Sequence, residues 1–252
     1  MNKTVMITGA TSGIGEATAE LLACHGYRLI LTGRRKERLL ALREQIQTTS
    51  VCDIELLHFD VRDNQMVDHA INTLPEAFSS IDILINNAGL AAGLNAIHEG
   101  DTDDWDQMID TNIKGLLYVT RKIVPGMVAR QSGHIVNISS IAGKETYPMG
   151  NVYCATKHAV QSLTKAMRLD LLKHGIKVSS VSPGAVRTEF SLVRFRGNQA
   201  KANQVYEGFT PLFARDIAET IHFVITRPAH VNIDDILVMP AAQAYSRDFN
   251  RK

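Results

Sequence analysis

The 252-residue sequence carries almost no charge of one sign: 27 lysines and arginines stand against 26 aspartates and glutamates, a formal net charge of +1. No overall field would draw such a chain to nucleic acid or to an anionic membrane, so a small diffusible partner is expected. Cysteine is scarce, with Cys24, Cys52 and Cys154 giving an odd number and no paired spacing. This argues against a disulfide framework and a zinc site, and the nine histidines include none at metal-ligand spacing, so reduced thiols and no metal are expected. No apolar run is long enough to span a bilayer, and the run after Met1-Asn2-Lys3 is too short for a secretory signal, which makes the cytosol the expected setting. No repeat, low-complexity tract or linker divides the chain. One domain over residues 1–252 is expected, long enough to bury a full core without staples.

Short aliphatic and β-branched runs alternate with longer stretches of helical periodicity, the pattern of a parallel sheet covered by helices on both faces. About seven strands are expected, at Thr4–Thr8, Leu29–Thr32, Glu55–Phe59, Ile83–Ile85, Ile135–Ile138, Lys177–Val181 and Ile236–Val238. Gly26 after His25 should end the first helix, because glycine accepts the left-handed conformation of helix termini. Asp101 to Asp104 should cap a long helix that turns Trp105, Met108 and Ile109 inward. Residues 188–212 interrupt the alternation: with Arg194, Arg196, Gly197, Asn198 and Gln199 the stretch is too polar for a buried layer and too long for a turn. It reads as a substrate lid, with an ordinary surface excursion as the alternative.

Directly after the first strand comes Thr8-Gly9-Ala10-Thr11-Ser12-Gly13-Ile14-Gly15, with a helix opening from its end. Glycines there let backbone N–H groups approach a pyrophosphate while the helix N-terminus adds partial positive charge, so Gly9, Thr11, Ser12, Gly13, Ile14 and Gly15 are assigned to a dinucleotide. The second strand ends in Thr32-Gly33-Arg34-Arg35-Lys36, basic where an NAD enzyme offers a carboxylate to the ribose. Arg34 and Arg35 can pair with a 2′-phosphate, which makes NADP(H) the expected cofactor, with Glu37 as a displaced ribose acceptor in the rival reading. Asp60 can accept the adenine amino group or serve the helix start ahead of Asp63. In Asn86-Asn87-Ala88-Gly89, small residues let the backbone pass close to the adenine ribose, and the amides can tie neighbouring strands together.

Tyr153 and Lys157 lie one helical turn apart and project from one face. A phenol has a pKa of about 10, too high for a base at neutral pH, but an adjacent ammonium and an oxidised nicotinamide would both favour its ionised form. Ser140, in Asn137-Ile138-Ser139-Ser140 at the end of the fifth strand, can hold the reacting oxygen, while Ser139 serves the turn. Asn112, an unfavourable residue inside the helix after the fourth strand, could hold a water that links Lys157 to solvent. Pro183-Gly184 turns the chain over the nicotinamide, and Thr188 could bond its carboxamide. Met127, Met149 and Tyr147 can line the pocket or pack beneath it, and Trp105 reads as core.

Together these residues resemble the short-chain dehydrogenase/reductase family, with its Thr-Gly-x-x-x-Gly-x-Gly turn and Tyr-x-x-x-Lys pair in family order across nearly the whole chain. The resemblance implies a Rossmann fold, doubly wound, a tetrad of Asn112, Ser140, Tyr153 and Lys157, and a cofactor wall that also takes in Val61, Asn87, Ala88, Gly89, Pro183, Gly184, Val186 and Thr188. The stretches Thr188–Gly197 and Pro228–Ile233 look like the branch of NADP-dependent 3-hydroxy acid dehydrogenases, which implies substrates such as serine, allo-threonine or 3-hydroxypropionate with malonic semialdehyde, and a homotetramer. Arg187 departs from that branch, where an acidic or small residue is common. Tyr147, Arg194 and Arg196 are the candidate substrate contacts, since a guanidinium can hold a carboxylate while the hydroxyl faces Tyr153. A reductase of bulkier ketones or acyl substrates, and a non-catalytic NADP(H) sensor, are the alternatives.

Overall fold

The computed structural model describes residues 3–252. Its centre is a parallel sheet of seven strands in the order β3-β2-β1-β4-β5-β6-β9. These are β1 (Thr4–Ile7), β2 (Arg28–Gly33), β3 (Ile54–His58), β4 (Ile83–Asn86), β5 (Gly133–Ile138), β6 (Ile176–Pro183) and β9 (Asp235–Val238). All seven expected strands are present. The order reverses between β1 and β4, and such a switch opens a crevice at the carboxyl ends of the strands.

Alternation along the strands divides the core in two. Val5 and Ile7 face α1 (Gly13–Cys24), α2 (Lys36–Thr49) and α9 (Ala214–Ile225), packing with Leu22, Leu39, Ile217 and Ile221. Met6 faces the other way, onto α3 (Asn64–Asn72), α5 (Leu116–Arg130) and α6 (Asn151–Leu171), among Val67, Val119, Ile123 and Leu171. Buried on both faces, these strands need near-continuous apolar runs, which is what the sequence supplies. As expected, α1 ends at His25 with Gly26 at φ +75°.

Between β4 and α5 the structure departs from the sequence reading. Asp101 does cap α4 (Thr102–Ile109), its carboxylate accepting from the Asp103 N–H at 3.0 Å. The following turn, Asp110–Gly115, is a π-helix rather than a continuation of the α-helix. Of the three side chains expected to point inward, Met108 is buried and Trp105 half-buried against the core, but Ile109 is exposed. All three lie within α4, where Met108 marks the middle of the buried face and Ile109, the next residue, lies about 100° round the helix from it, at the edge of that face.

Residues 188–212 form a folded flap. It contains α7 (Phe190–Arg194) and α8 (Gln199–Gln204), and its ends are drawn together where β7 (Val186–Arg187) pairs with β8 (Leu212–Phe213). A small antiparallel hairpin, β10 (Gln243–Tyr245) and β11 (Asp248–Phe249), follows β9 where no strand was expected. Cys24, Cys52 and Cys154 are unpaired thiols. Among the described residues, no cluster of His, Cys, Asp or Glu could hold a metal ion and no helix is long and apolar enough to cross a membrane.

Candidate active site

The glycine-rich turn is anchored from two sides. The Thr8 hydroxyl accepts the N–H groups of Asn87 and Ala88, both at 3.0 Å, and the Asn87 amide donates back to the carbonyls of Thr8 and Gly9 at 2.9 and 3.1 Å. This brings β1 and β4 so close that a Cβ on Gly9, at φ +67°, would lie 2.9 Å from the Ala88 Cα. A Cβ on Gly15 would lie 2.4 Å from the Gly9 carbonyl oxygen. Gly15 is therefore a packing residue behind the turn, whereas Gly9, Thr11, Ser12, Gly13 and Ile14 line the cleft. At the start of α1 the N-cap Ser12 makes no side-chain bond to the helix, so the first N–H groups have no side-chain cap, as an anion-binding helix start requires.

From this turn the cleft runs past Arg34, Arg35, Asp60 and Val61 on one side and past Asn87, Ala88 and Gly89 on the other, reaching Ser140, Tyr153, Lys157, Pro183, Gly184, Val186 and Thr188. The expected contacts thus line one continuous groove, though several have partners of their own. Arg35 reaches over the turn to Thr11 and Ser12 at 2.8 to 3.2 Å. The Asp60 carboxylate is gripped by Arg62 at 2.7 to 3.1 Å, with Arg34 at 3.7 Å, while Asp63 caps α3. Burial opposes ionisation of Asp60, but the Arg62 bonds outweigh it and hold the carboxyl below its usual range. The Thr188 hydroxyl accepts the Phe190 N–H at 3.2 Å at the start of α7, and its side chain packs on Gly13.

At the other end of the groove, α6 carries Tyr153 and Lys157, both buried. Lys157 Nζ donates to the Ile138 carbonyl at 2.9 Å, and burial pulls its pKa down to about 8. The Ser140 hydroxyl accepts the Ala142 N–H at 3.1 Å and lies against the Tyr153 hydroxyl. Ser139 donates to the Lys157 carbonyl at 3.3 Å, bracing α6 instead of its own turn. Among the protein's own groups, the charge balance around the phenol does not include the expected help from its lysine. Burial pushes Tyr153 up, Tyr147 adds to the rise, and it is Arg194 and Ser140, not Lys157, that oppose it.

Asn112 sits inside the π turn with its amide fully engaged. Its Oδ1 accepts the Leu90 N–H at 2.8 Å, and Nδ2 donates to the Leu90 carbonyl at 2.9 Å and the Thr156 hydroxyl at 3.0 Å. Gly89 keeps a gap open beside it: a Cβ there would lie 3.2 Å from Asn112 Oδ1 and 3.5 Å from Lys157 Nζ. With both amide hydrogens used, the water expected on Asn112 could reach only its Oδ1, beside the Leu90 N–H.

A second cavity opens beyond Tyr153. Tyr147 is buried, and its hydroxyl accepts from Arg194 Nη2 at 3.1 Å. The Arg194 guanidinium lies 4.8 Å over the Tyr153 ring and 5.1 Å over Phe190. Arg196 does not join it. Its Nη2 bonds Asp101 at 2.7 Å and Asp104 at 2.9 Å, so these carboxylates occupy it and it fastens the flap to the start of α4. Met127 is core beneath β5, Met149 stands exposed on the rim at φ +63°, and Arg187 is exposed on β7. Four residues were missed from the sequence: Phe190 and Glu189 on the flap, Arg38, and Arg247, which lies 4.7 Å over the Tyr147 ring from the terminal hairpin. Arg38 was legible as the third arginine of Arg34-Arg35-Lys36-Glu37-Arg38; Arg247 had no signal in its neighbours.

Known proteins share this arrangement. The NADP-dependent 3-hydroxy acid dehydrogenase YdfG of Salmonella typhi is 44% identical over 243 residues, covering 96% of each chain. Sulfoacetaldehyde reductase 2 of Chromohalobacter salexigens is 46% identical over 247 residues, 98% of this chain and 97% of that one. The closed form of a serine dehydrogenase complexed with NADP+ superposes with a TM-score of 0.93 at 41% identity, over 99% of this chain and all of that one. Residues 3–198, which hold the glycine-rich turn, Asn112, Ser140, Tyr153 and Lys157, match the short chain dehydrogenase model, and the chain belongs to that family.

Proposed function

We propose that this chain is an NADP-dependent oxidoreductase that moves hydride between the cofactor and a small 3-hydroxy acid or its carbonyl counterpart, of the serine, allo-threonine or 3-hydroxypropionate and malonic semialdehyde type. The observation that carries the reading is Arg194, a cation with no carboxylate partner among the described residues, stacked on the ring of Tyr153. Its Nε is buried and unpartnered, and Arg247 places a second guanidinium on the far ring of Tyr147. Two such cations beside a phenol suit a substrate with an anionic group a short distance from its hydroxyl. The acids and the sulfonate-bearing aldehyde in the names of the relatives share that chemistry.

The residues present fit the cofactor. The uncapped start of α1 and the glycine cradle suit a pyrophosphate, and Arg34 and Arg35 suit a 2′-phosphate. Bound NADP+ supplies a hydride acceptor and a positive charge next to Tyr153. In the oxidative direction Tyr153 acts as the phenolate, its own proton lost to solvent beforehand and the cofactor's positive charge offsetting the upward push of burial; its oxygen takes the hydroxyl proton, the Ser140 hydroxyl donates to the substrate oxygen, and Lys157, with its pKa near 8, can relay the proton past Gly89 toward Asn112. Phe190 and Val193 of the flap cover this end of the cleft and keep bulk water from the reacting carbon.

The same reading takes residues 1–252 as one domain with its flap at 188–212, the cytosol as its setting and a homotetramer as its assembly. Leu169 and Leu172 at the end of α6 and Leu237 on edge strand β9 are exposed apolar groups that subunit contacts would cover, which light scattering can check. The reaction itself is tested by NADP+ reduction over 3-hydroxy acids and their uncharged amides. The acids should exceed the amides in kcat/KM by at least about tenfold. Equal turnover of both would remove the acid from the assignment, and NADPH binding without turnover of any alcohol or carbonyl would remove the enzyme.

A further inference from the structure

The cofactor cleft contains a carboxylate where an anion is meant to bind. Glu189, the last residue before α7, lines the groove opposite Arg35. Its Oε2 accepts from Arg35 Nη1 at 3.0 Å, and Arg38 Nη1 donates to Oε1 at 2.7 Å and to Oε2 at 2.9 Å. Arg35 is at the same time bonded through Nη2 to Thr11 and Ser12 of the glycine-rich turn. One guanidinium therefore joins the turn to the flap, and one carboxylate satisfies two of the three arginines that follow β2. Arg35, Arg38 and Glu189 are 41%, 47% and 40% exposed, open enough to water for the pairing to be exchangeable. The bonds to Arg38 and Arg35 also keep Glu189 ionised, overcoming the upward push of its burial.

We infer that Glu189 is an internal competitor for the 2′-phosphate of the cofactor: it occupies Arg35 and Arg38 until the phosphate takes them, and so sets how strongly the chain discriminates between phosphorylated and unphosphorylated dinucleotides. This rests on the NADP reading above. A phosphate dianion is the stronger partner for two guanidiniums, but it cannot share them with an ionised carboxylate at contact distance without repulsion. The competitor belongs to the flap. Thr188 beside it packs on Gly13, and Phe190 after it packs on Tyr153 with ring centroids 5.6 Å apart. Displacing Glu189 thus frees one of the ties that hold the substrate end of the flap to the cofactor end.

The test is calorimetric binding of two fragments, 2′,5′-ADP and 5′-ADP, to the cofactor-free protein and to Glu189→Gln, which keeps the side chain's shape and removes its charge. The variant should bind 2′,5′-ADP about three- to tenfold more tightly, the range set by exposed ion pairs, and 5′-ADP within about twofold of the parent. Arg38→Met should weaken 2′,5′-ADP alone. Weaker binding of 2′,5′-ADP by Glu189→Gln, no change, or an equal gain for both fragments would overturn the competition while leaving the cofactor reading intact. A parent protein that does not distinguish the two fragments would overturn both. Thermal unfolding of each variant, with a midpoint close to the parent's, verifies that the comparison is between folded proteins.

Discussion

The floor and the roof of the cleft are held by different forces. On the floor, buried amides and hydroxyls close on one another: Asn86 donates to Asn137 and Thr120 at 2.9 Å, Asn137 to Thr164 at 2.9 Å, and Asn112 spans Leu90 and Thr156. On the roof, residues 188–212 are tied down by exposed ion pairs, Arg196 to Asp101 and Asp104 and Glu189 to Arg35 and Arg38. A buried polar group that loses its partner costs about 1–3 kcal/mol, whereas an exposed pair is worth about 0–1 kcal/mol. On the function proposed above, acid-base geometry is built where displacement is expensive, and substrate entry is governed where it is cheap.

If this division is right, the largest effect belongs to the floor's reacting group. Tyr153→Phe keeps the ring that Arg194 and Phe190 pack on, and should lower kcat by about a thousandfold, within the range of general acid-base catalysis, while NADPH binding by fluorescence stays within about threefold. Turnover near the parent rate would show that the proton passes elsewhere.

Lys157→Met reports the cost of the floor's buried cation. Its pKa lies near 8 in the fold against 10.5 in the open chain, so unfolded protein binds the proton more tightly, and stability rises as pH climbs through that window. The variant should be more stable than the parent at pH 7 by up to about 3 kcal/mol, less the lost bond to Ile138, and the gain should shrink between pH 8 and 10.5. Urea unfolding at several pH values measures it, and a gain that does not vary with pH would contradict burial of the charge. Asn112→Ala, which strands both polar atoms of Leu90, should cost about 2–3 kcal/mol in the same assay.

The smallest effects separate the two flap arginines. Arg194→Ala should raise KM for a 3-hydroxy acid about tenfold or more, with little change for its amide. Arg196→Ala should change KM no more than about twofold and stability by less than about 1 kcal/mol, because the arginine itself and its partner Asp101 are open to solvent. Equal losses from both would mean that the latch and the anion contact are one device.

Legibility in the sequence follows the same boundary. The floor could be read because its residues act through the backbone beside them: the turn from Gly9 to Gly13, Asn86 and Asn87 at a strand end, Tyr153 and Lys157 one turn apart. What failed there depended on three-dimensional surroundings. Spacing gives the distance from Tyr153 to Lys157 but not the burial that raises the phenol, nor Arg194, which comes from another element. The roof was legible as an irregular segment, yet the choice between Arg194 and Arg196 lay with Asp101 and Asp104 far back in the chain. Arg247 arrived on a hairpin that no pattern announced, and Ile109 was misplaced because periodicity gives the width of a helix's apolar stripe but not which residue sits at its centre.

That wide turn, Asp110–Gly115, also has a bearing on how this chain can be altered. It holds one more residue than an α-helical turn, so removing one would restore ordinary winding with the two flanking helices still in phase. Met108 would stay on the pocket wall and Val119 on the sheet, and the loss would fall on what the turn itself seats, the Asn112 amide on Leu90 and the Gly115 backbone on Val61. Substitutions in this stretch alter single contacts, but a one-residue deletion would unseat that whole corner while leaving the wall and the sheet in register.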